Sequence, residues 1–338
     1  MNAVAPREAP LVRQDSIAPL KLRVRVQSVS YLADDVNAFE FVGVNSDTLP
    51  LFTPGSHIDV HLPNGVIRQY SLCNPSTERH RYVIAVLRDP LGRGGSVAMH
   101  DLLRAGQIVT VSVPRNHFSL SNLATQHIFI AGGIGITPFM SMIAEVQRRG
   151  EAFHLHYCAR TPQRTAFTRE LRGLVAGGRA SIHYDNGNPS EGLDLYATLQ
   201  SRPDGAHLYY CGPAGLMDAI EAASAHWPRE VVHCERFSST GPPVRTVGGD
   251  PDMPFEVELA RSKKRLTVHP GQTIVDALKL QGVEVDTSCR EGYCGTCMTR
   301  YLSGAPLHRD SVLDESDREE FIMICCSRAK SASLILDL

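Results

Sequence analysis

Cys289-Arg290-Glu291-Gly292-Tyr293-Cys294-Gly295-Thr296-Cys297 decides how the C-terminal part of this chain folds. The cysteines are separated by four residues and then by two, and Cys325-Cys326 follows after a gap of 27 residues. This is the spacing of a plant-type [2Fe–2S] site. A loop that brings three thiolates to one cluster must turn tightly and present its backbone N–H groups to sulfur. Gly292 and Gly295 suit that task, because glycine reaches dihedrals that side chains resist. A fourth thiolate must come from a distant strand. Cys325 and Cys326 both offer one, and side-chain alternation on a strand lets only one of them point inward. Structural zinc prefers two separated pairs of ligands over three in one loop. The chain has nine cysteines in all, and Cys73, Cys158, Cys211 and Cys234 are isolated. This odd, clustered distribution fits one metal centre in a reducing cytoplasm better than a secreted disulfide framework.

Around the loop, FEVELARSKKRLTVHP reads as a hairpin and TIVDALKLQG as a short helix opened by the capping pair Thr273 and Asp276. Upstream, SSTGPPVRTVGGDPDMP (238–254) consists of turn formers and reads as a linker. Before it, strands alternate with helices: HIFIAGGIGITP, FMSMIAEVQRRG, FHLHYCAR, TAFTRELRGLV, ASIHYDN, HLYYCGP with LMDAIEAASAHW, and EVVHCERF. That order implies a parallel sheet covered on both faces. Earlier still, KLRVRVQSVSYL, AFEFVGV, HIDVHL, IRQYSL, RYVIAVLRD and IVTVSVP alternate with period two and are divided by turns, as in an antiparallel barrel. The domains expected are a flexible arm (1–20), a β-barrel (21–120), a nucleotide-binding α/β domain (121–237), a linker (238–252) and a cluster-binding domain (253–338).

Two glycine turns end strands of the expected parallel sheet. Ala131-Gly132-Gly133-Ile134-Gly135-Ile136-Thr137-Pro138 passes from strand to helix, with Thr137 as N-cap and Pro138 in the first turn. Such a turn lets a pyrophosphate approach backbone N–H groups and a helix N-terminus. Strand–helix packing alone can also demand glycine there. Tyr210-Cys211-Gly212-Pro213 ends a later strand of the same sheet, and ligands of such sheets bind at carboxyl ends of strands. In the barrel, Arg68-Gln69-Tyr70-Ser71 ends a strand and Gly92-Arg93-Gly94-Gly95-Ser96 opens a helix. Together they supply either a cation, N–H donors and an aromatic face for a phosphorylated flat ring, or ordinary turns with a surface arginine and a tyrosine that fills the barrel.

Composition sets the bounds. Across 338 residues the net charge is -2, so no basic field invites nucleic acid or an anionic membrane. The start, MNAVAPREAPLVRQDS, has no apolar core, and no run approaches the ~20 apolar residues that span a bilayer. His57 and His61 sit at i, i+4 on a strand and are not expected to bind metal.

RQYSLCN, GRGGS, AGGIGITP, YYCGPAGLMDAI, HCERF, CREGYCGTC and the final ICCSRAKSASLILDL together resemble one family. The chain is similar, over residues 21–338, to reductases of Rieske oxygenases of the phthalate dioxygenase reductase type, which include vanillate O-demethylase reductases. That resemblance implies that the barrel is flavin-binding and the last domain a β-grasp ferredoxin, with FMN, a [2Fe–2S] cluster and NADH as cofactors. It implies that Arg68, Tyr70 and Ser71 contact the flavin, that Ala85, Val86 and Leu87 run along it, and that Gly94, Gly95 and Ser96 hold its phosphate. Gly133, Gly135, Thr137 and Gly212 would bind the dinucleotide. Cys211, Phe237 and Ser71 would form the hydride-transfer site, with Cys211 near nicotinamide C4 and Phe237 covering the flavin ring. The iron ligands implied are Cys289, Cys294, Cys297 and, by the 27-residue count, Cys325. Arg160 and Arg164 are placed where a 2′-phosphate would be read, against the family preference for NADH.

A nicotinamide gives two electrons together, a cluster takes one at a time, and a flavin does both. The resemblance implies an electron carrier serving a separate Rieske oxygenase, approached through the loop rim of Arg290, Glu291 and Tyr293; a monomer is the default expectation. The acidic run 309–321 would steer that partner or simply be solvated. The rival readings are a reductase for a P450 or cytochrome, a non-enzymatic ferredoxin-like redox module, and a zinc-stapled binding protein.

Overall fold

A computed structural model describes residues 21–237, 252–287, 289–310 and 312–338. The expected N-terminal arm and most of the expected linker lie outside the described residues.

The first body is a closed antiparallel barrel. Its strands are β1 (Lys21–Ala33), β2 (Val36–Gly43), β3 (His57–His61), β4 (Ile67–Ser71) and β5 (Tyr82–Leu87), then α1 (Gly95–Leu102) and β6 (Ile108–Ser112). They pair in the order β4-β3-β6-β1-β2-β5. A bridge between Leu72 and Ile84 joins the two ends, and Cys73 N–H donates to the Val83 carbonyl at 2.8 Å. Closure removes the unpaired edges that an open sheet would expose. Alternate residues fill the interior, among them Val24, Phe39, Phe41, Ile58, Val60 and Ile84.

The second body begins with β7 (Gln126–Gly132) and α2 (Thr137–Arg149), followed by β8 (Ala152–Ala159), α3 (Thr168–Ala176) and β9 (Ala180–Tyr184). It ends with α4 (Leu195–Leu199), β10 (Ala206–Cys211), α5 (Ala214–Ala223) and β11 (Val232–Glu235). All strands are parallel, in the order β11-β10-β7-β8-β9. The winding reverses between β7 and β10, and a ligand crevice is expected outside the carboxyl ends of those two strands. Both glycine turns lie there.

The third body contains β12 (Phe255–Leu259), β13 (Arg265–Val268), α6 (Ile274–Leu280), β14 (Met298–Ser303), β15 (Pro306–Leu307), β16 (Phe321–Met323), β17 (Arg328–Ala329) and β18 (Ser333–Leu336). β12 runs parallel to β18 and antiparallel to β13, and α6 packs on the sheet through Ile274, Val275 and Leu278. Thr273 Oγ1 accepts from Asp276 N–H at 3.1 Å and donates to Asp276 Oδ2 at 2.7 Å, closing the cap read from the sequence. The class is multidomain: an antiparallel barrel, a parallel α/β sheet and a C-terminal ferredoxin-like unit. Among the described residues, no helix is long and apolar enough to cross a membrane.

Candidate functional site: a cleft facing a cysteine loop

Arg68, Gln69, Ser71, Arg93, Glu235, Phe237, Cys289 and Tyr293 border one cleft where the three bodies meet. The barrel contributes the end of β4 and the turn before α1. Arg68 packs where a Cβ on residue 95 would stand, which explains Gly95, and its Nη2 donates to the Arg93 carbonyl at 2.7 Å. Neither Arg68 nor Arg93 pairs with a carboxylate among the described residues. Burial first and the neighbouring Arg93 second lower the Arg68 pKa. Two adjacent cations beside a helix N-terminus, with Gly94 in the left-handed region at φ 76°, fit a phosphate.

Other expected barrel residues stand differently. Tyr70 leans on the barrel core, and burial raises its pKa. The Ser96 hydroxyl already serves its own turn, accepting from Asp89 N–H at 3.0 Å. Along β5, Ala85 and Leu87 belong to the apolar cluster shared with the nucleotide domain, whereas Val86 points into the barrel. None of these three borders the cleft.

The nucleotide domain brings the ends of β7, β10 and β11 together. A Cβ at residue 135 would collide with the Cys211 carbonyl, and one at residue 212 would meet Gly132 Cα at 3.0 Å. Gly135 and Gly212 therefore let the two turns pack backbone against backbone. Gly133, at φ 53° with nothing near its Cβ position, faces open space. Thr137 does not cap α2 as expected. It is the first helical residue, is buried, and its Oγ1 donates to the Ile134 carbonyl at 3.0 Å. Cys211 is fully buried and pairs in register with Glu235. Burial pushes its thiol well up. Phe237, 39% exposed, stands over the cleft.

Glu235 is the residue the sequence reading passed over. It ends β11, half-buried, and accepts from the Ser71 hydroxyl at 3.3 Å. Burial pushes its carboxyl up to about 8, with the Ser71 donation working the other way. The available signal was an acid two residues before Phe237, at the end of a strand.

The ferredoxin-like body turns its cysteine loop toward this cleft. Cys289, Cys294, Cys297 and Cys325 are each at most 4% exposed. Hydrogen-bonding contacts pair Cys289 with Cys294 and Cys297 with Cys325, and a further one links Cys289 to Cys325. Contact with Cys289 and then burial push the Cys294 thiol up. A thiol held as Cys294 is becomes a thiolate only against a strong positive charge, which ferric iron supplies. Glu291 N–H donates to Cys289 Sγ at 3.3 Å, and Gly292 and Gly295 have φ of 82° and 76°. The donor set fits a two-iron cluster.

Two expectations need correction. Cys325 sits in a turn after β16, so strand alternation does not distinguish the two cysteines; they differ in burial, Cys325 being the buried one. Cys326 is half-buried, touches Cys325, lies against Gly292 and points toward the Met323 carbonyl at 3.7 Å. Tyr293 is not a free rim residue. It borders the cleft, and its hydroxyl donates to the Phe237 carbonyl at 2.7 Å. Arg290 is exposed, 3.8 Å from Asp276. Arg164 pairs with Asp35 of the barrel at 3.4 Å.

The family model of the 2Fe-2S iron-sulfur cluster binding domain matches residues 257–330, and that of the oxidoreductase NAD-binding domain matches residues 129–222. The chain is 44% identical over 325 residues to the tert-butanol monooxygenase / tert-amyl alcohol desaturase reductase subunit of Aquincola tertiaricarbonis, covering 94% of this chain and 96% of that protein. It is 41% identical over 318 residues to phthalate dioxygenase reductase of Burkholderia cepacia, covering 94% and 97%. A solved phthalate dioxygenase reductase, described as modular for electron transfer from pyridine nucleotides to [2Fe-2S], superposes with TM-score 0.70 at 41% identity over 94% of this chain and 98% of that one. An intact type IV self-sufficient cytochrome P450 monooxygenase superposes with TM-score 0.81 at 34% identity, over 98% of this chain and 43% of that one.

Proposed function

The chain belongs to the phthalate dioxygenase reductase family, and from that premise we propose that it is the reductase component of a Rieske oxygenase system, carrying electrons from NADH through FMN and a [2Fe–2S] cluster. It is an oxidoreductase whose cofactors are nicotinamide, FMN and the cluster. The observation that carries the reading is the shared cleft: Cys289 and Tyr293 of the cluster loop border it together with Arg68, Ser71 and Phe237.

In this reading residues 21–120 hold FMN, 121–237 bind NADH and 253–338 hold the cluster. When bound, the flavin accepts hydride and releases single electrons. The residues of the chain bind, orient and exclude water. Arg68 and the backbone of the Gly94-Gly95-Ser96 turn would fix the phosphate, with Tyr70 beside the ring and the Ala85-Val86-Leu87 strand backing the site from the apolar core instead of lining it. Gly133 and the backbone of the Gly135–Thr137 and Cys211–Gly212 turns cradle the dinucleotide. Phe237 would cover the flavin ring at the mouth of the cleft, and Cys211 would lie near the nicotinamide when it is bound. Ser71 and the largely neutral Glu235 hold a proton at the floor of the cleft. Cys289, Cys294, Cys297 and Cys325 ligate iron. The engagement of Arg164 with Asp35 favours NADH, since it occupies a cation that a 2′-phosphate would need.

The partner is a separate oxygenase met by a cytoplasmic, monomeric reductase. The free cysteines and the cysteine-ligated cluster suit a reducing compartment. A P450 acceptor is the second reading, favoured by the likeness to the self-sufficient P450.

The test is the visible spectrum of the purified protein, anaerobic, before and after NADH. Flavin and iron–sulfur bands that both bleach support the reading. Protein made in iron- and flavin-replete cells that carries neither cofactor overturns it.

A further inference from the structure

The loop that carries three of the four cysteines is gripped from another body. Gln69 Nε2, on β4, donates to the carbonyl of Cys294 at 2.9 Å. Arg93 Nη1, in the turn before α1, donates to the carbonyl of Cys289 at 2.6 Å. Both acceptors are main-chain atoms of iron ligands, so each bond ends a short covalent path from a ligand sulfur. Both donors also border the cleft. Between them, Tyr293 is tied to the Phe237 carbonyl. The remaining contacts of this face lie farther out: Thr296 Oγ1 donates to Asp59 Oδ1 at 3.3 Å, and Lys21 pairs with Asp286 at 2.7 Å.

Carbonyl oxygens on a loop are readily satisfied by water, so fold stability alone does not require these donors to come from the barrel. Hydrogen bonds hold heavy atoms closer than van der Waals contact does. They also fix the register of one surface on another. A guanidinium bonded to a ligand residue adds positive charge beside a centre that gains an electron, and hydrogen bonding and local charge are among the levers on cluster potential.

We infer that Gln69 and Arg93 are the positioning residues for electron transfer from the cleft to the cluster, docking the cysteine loop through the carbonyls of Cys294 and Cys289. This rests on the reading given under Proposed function. In each event one electron leaves the reduced flavin and one reaches the cluster; no bond forms or breaks, and no further reactant is needed.

The experiment uses the holoprotein mixed anaerobically with NADH in a stopped-flow spectrometer. Flavin bleaching and cluster bleaching are followed separately, and the reduced cluster is titrated by EPR. Gln69→Leu removes the donor at nearly constant volume; Gln69→Asn keeps an amide that is one methylene short. The result expected is flavin bleaching at the wild-type rate, with cluster bleaching slowed tenfold or more in Gln69→Leu and by an intermediate factor in Gln69→Asn. Arg93→Met is expected to move the cluster midpoint to a more negative potential. Cluster bleaching at the wild-type rate in Gln69→Leu overturns the inference, and so does equal slowing of both phases. If Gln69→Leu does not hold its cluster, Gln69→Asn carries the same comparison, and a wild-type rate there overturns it. Wild-type protein that shows no flavin bleaching fails the proposed function itself, which separates the two.

Discussion

Glu235 carries the clearest electrostatic signature of any single side chain in the cleft. A carboxyl ordinarily titrating at 4.5 is pushed up to about 8 by burial, against the donation of Ser71. The folded form thus prefers the neutral acid. Its contribution to stability is complete below the ordinary carboxylate value and is lost as pH rises through 4.5 toward 8. The slope is about 1.4 kcal/mol per pH unit inside that window. Thermal melts across this range should show the wild type losing stability relative to Glu235→Gln as pH rises. Parallel curves would remove the argument. The cysteines give a second residue-scale prediction. Cys325→Ser should abolish iron and acid-labile sulfide, whereas Cys326→Ser should retain both, because only Cys325 joins the buried set. Equal iron content in the two variants would show that Cys326 substitutes as ligand. The spacing of the cysteines was legible in the sequence because it is local. The raised acid was not, since it arises from burial in a cleft assembled by segments remote in sequence, the nearest hydrogen-bond partner, Ser71, lying 164 residues away.

The elements that hold the site obey local rules that the sequence displays. Period-two alternation marks the barrel strands, apolar strands alternating with helices mark the parallel sheet, and Thr273 with Asp276 marks the start of α6. The glycine turns were legible as turns, but the purpose of each glycine was not. Gly135 and Gly212 serve the packing of β7 against β10, and only Gly133 faces open space. Thr137 followed the general preference for a capping hydroxyl, yet the single turn of 3₁₀ helix at Gly133–Ile136 moves the chain so that Thr137 begins α2 instead. Gly135→Ala should therefore act on the whole nucleotide domain. The added methyl meets the rigid carbonyl of Cys211, a form of overpacking that costs about 1–3 kcal/mol, seen in denaturant melts. Gly133→Ala should cost about 1 kcal/mol for its left-handed φ and raise KM for NADH more than it lowers stability. If the two variants behave alike, the division of labour between these glycines is wrong.

At the scale of the molecule the three bodies are joined unequally. The barrel and the nucleotide domain share one apolar cluster, in which Ala33, Val36, Ala85 and Phe118 meet Phe139, Met142 and Leu171. The ferredoxin-like body keeps its core to itself, from Phe255 to Leu336. The contacts described between that body and the other two are polar: Gln69 to Cys294, Arg93 to Cys289, Thr296 to Asp59, Tyr293 to Phe237, and Lys21 to Asp286. A hydrogen bond contributes about 1 kcal/mol net and an exposed ion pair ~1 kcal/mol or less, so this docking is far weaker than a shared core. Composition and periodicity could not reveal the difference, because the hydrogen-bonded partners lie as far as 237 residues apart in sequence and the ion-paired ones farther still. The asymmetry has a kinetic consequence. Salt screens charge over about 10 Å at 0.1 M and about 3 Å at 1 M. Raising ionic strength toward 1 M should slow cluster reduction severalfold while leaving flavin reduction by NADH close to its low-salt rate, because the proposed function puts hydride transfer between the two bodies that share a core. Rapid mixing across a salt series reads both phases in one experiment. Lys21→Ala should flatten the same series, with cluster reduction already slowed at low salt, since it removes an ion pair at the partly exposed edge of the interface. Were the two phases to slow together, the weak joint would lie between the barrel and the nucleotide domain. Were neither to respond, docking would be governed by shape and by neutral hydrogen bonds such as that of Gln69, and the charged contacts would be incidental to it.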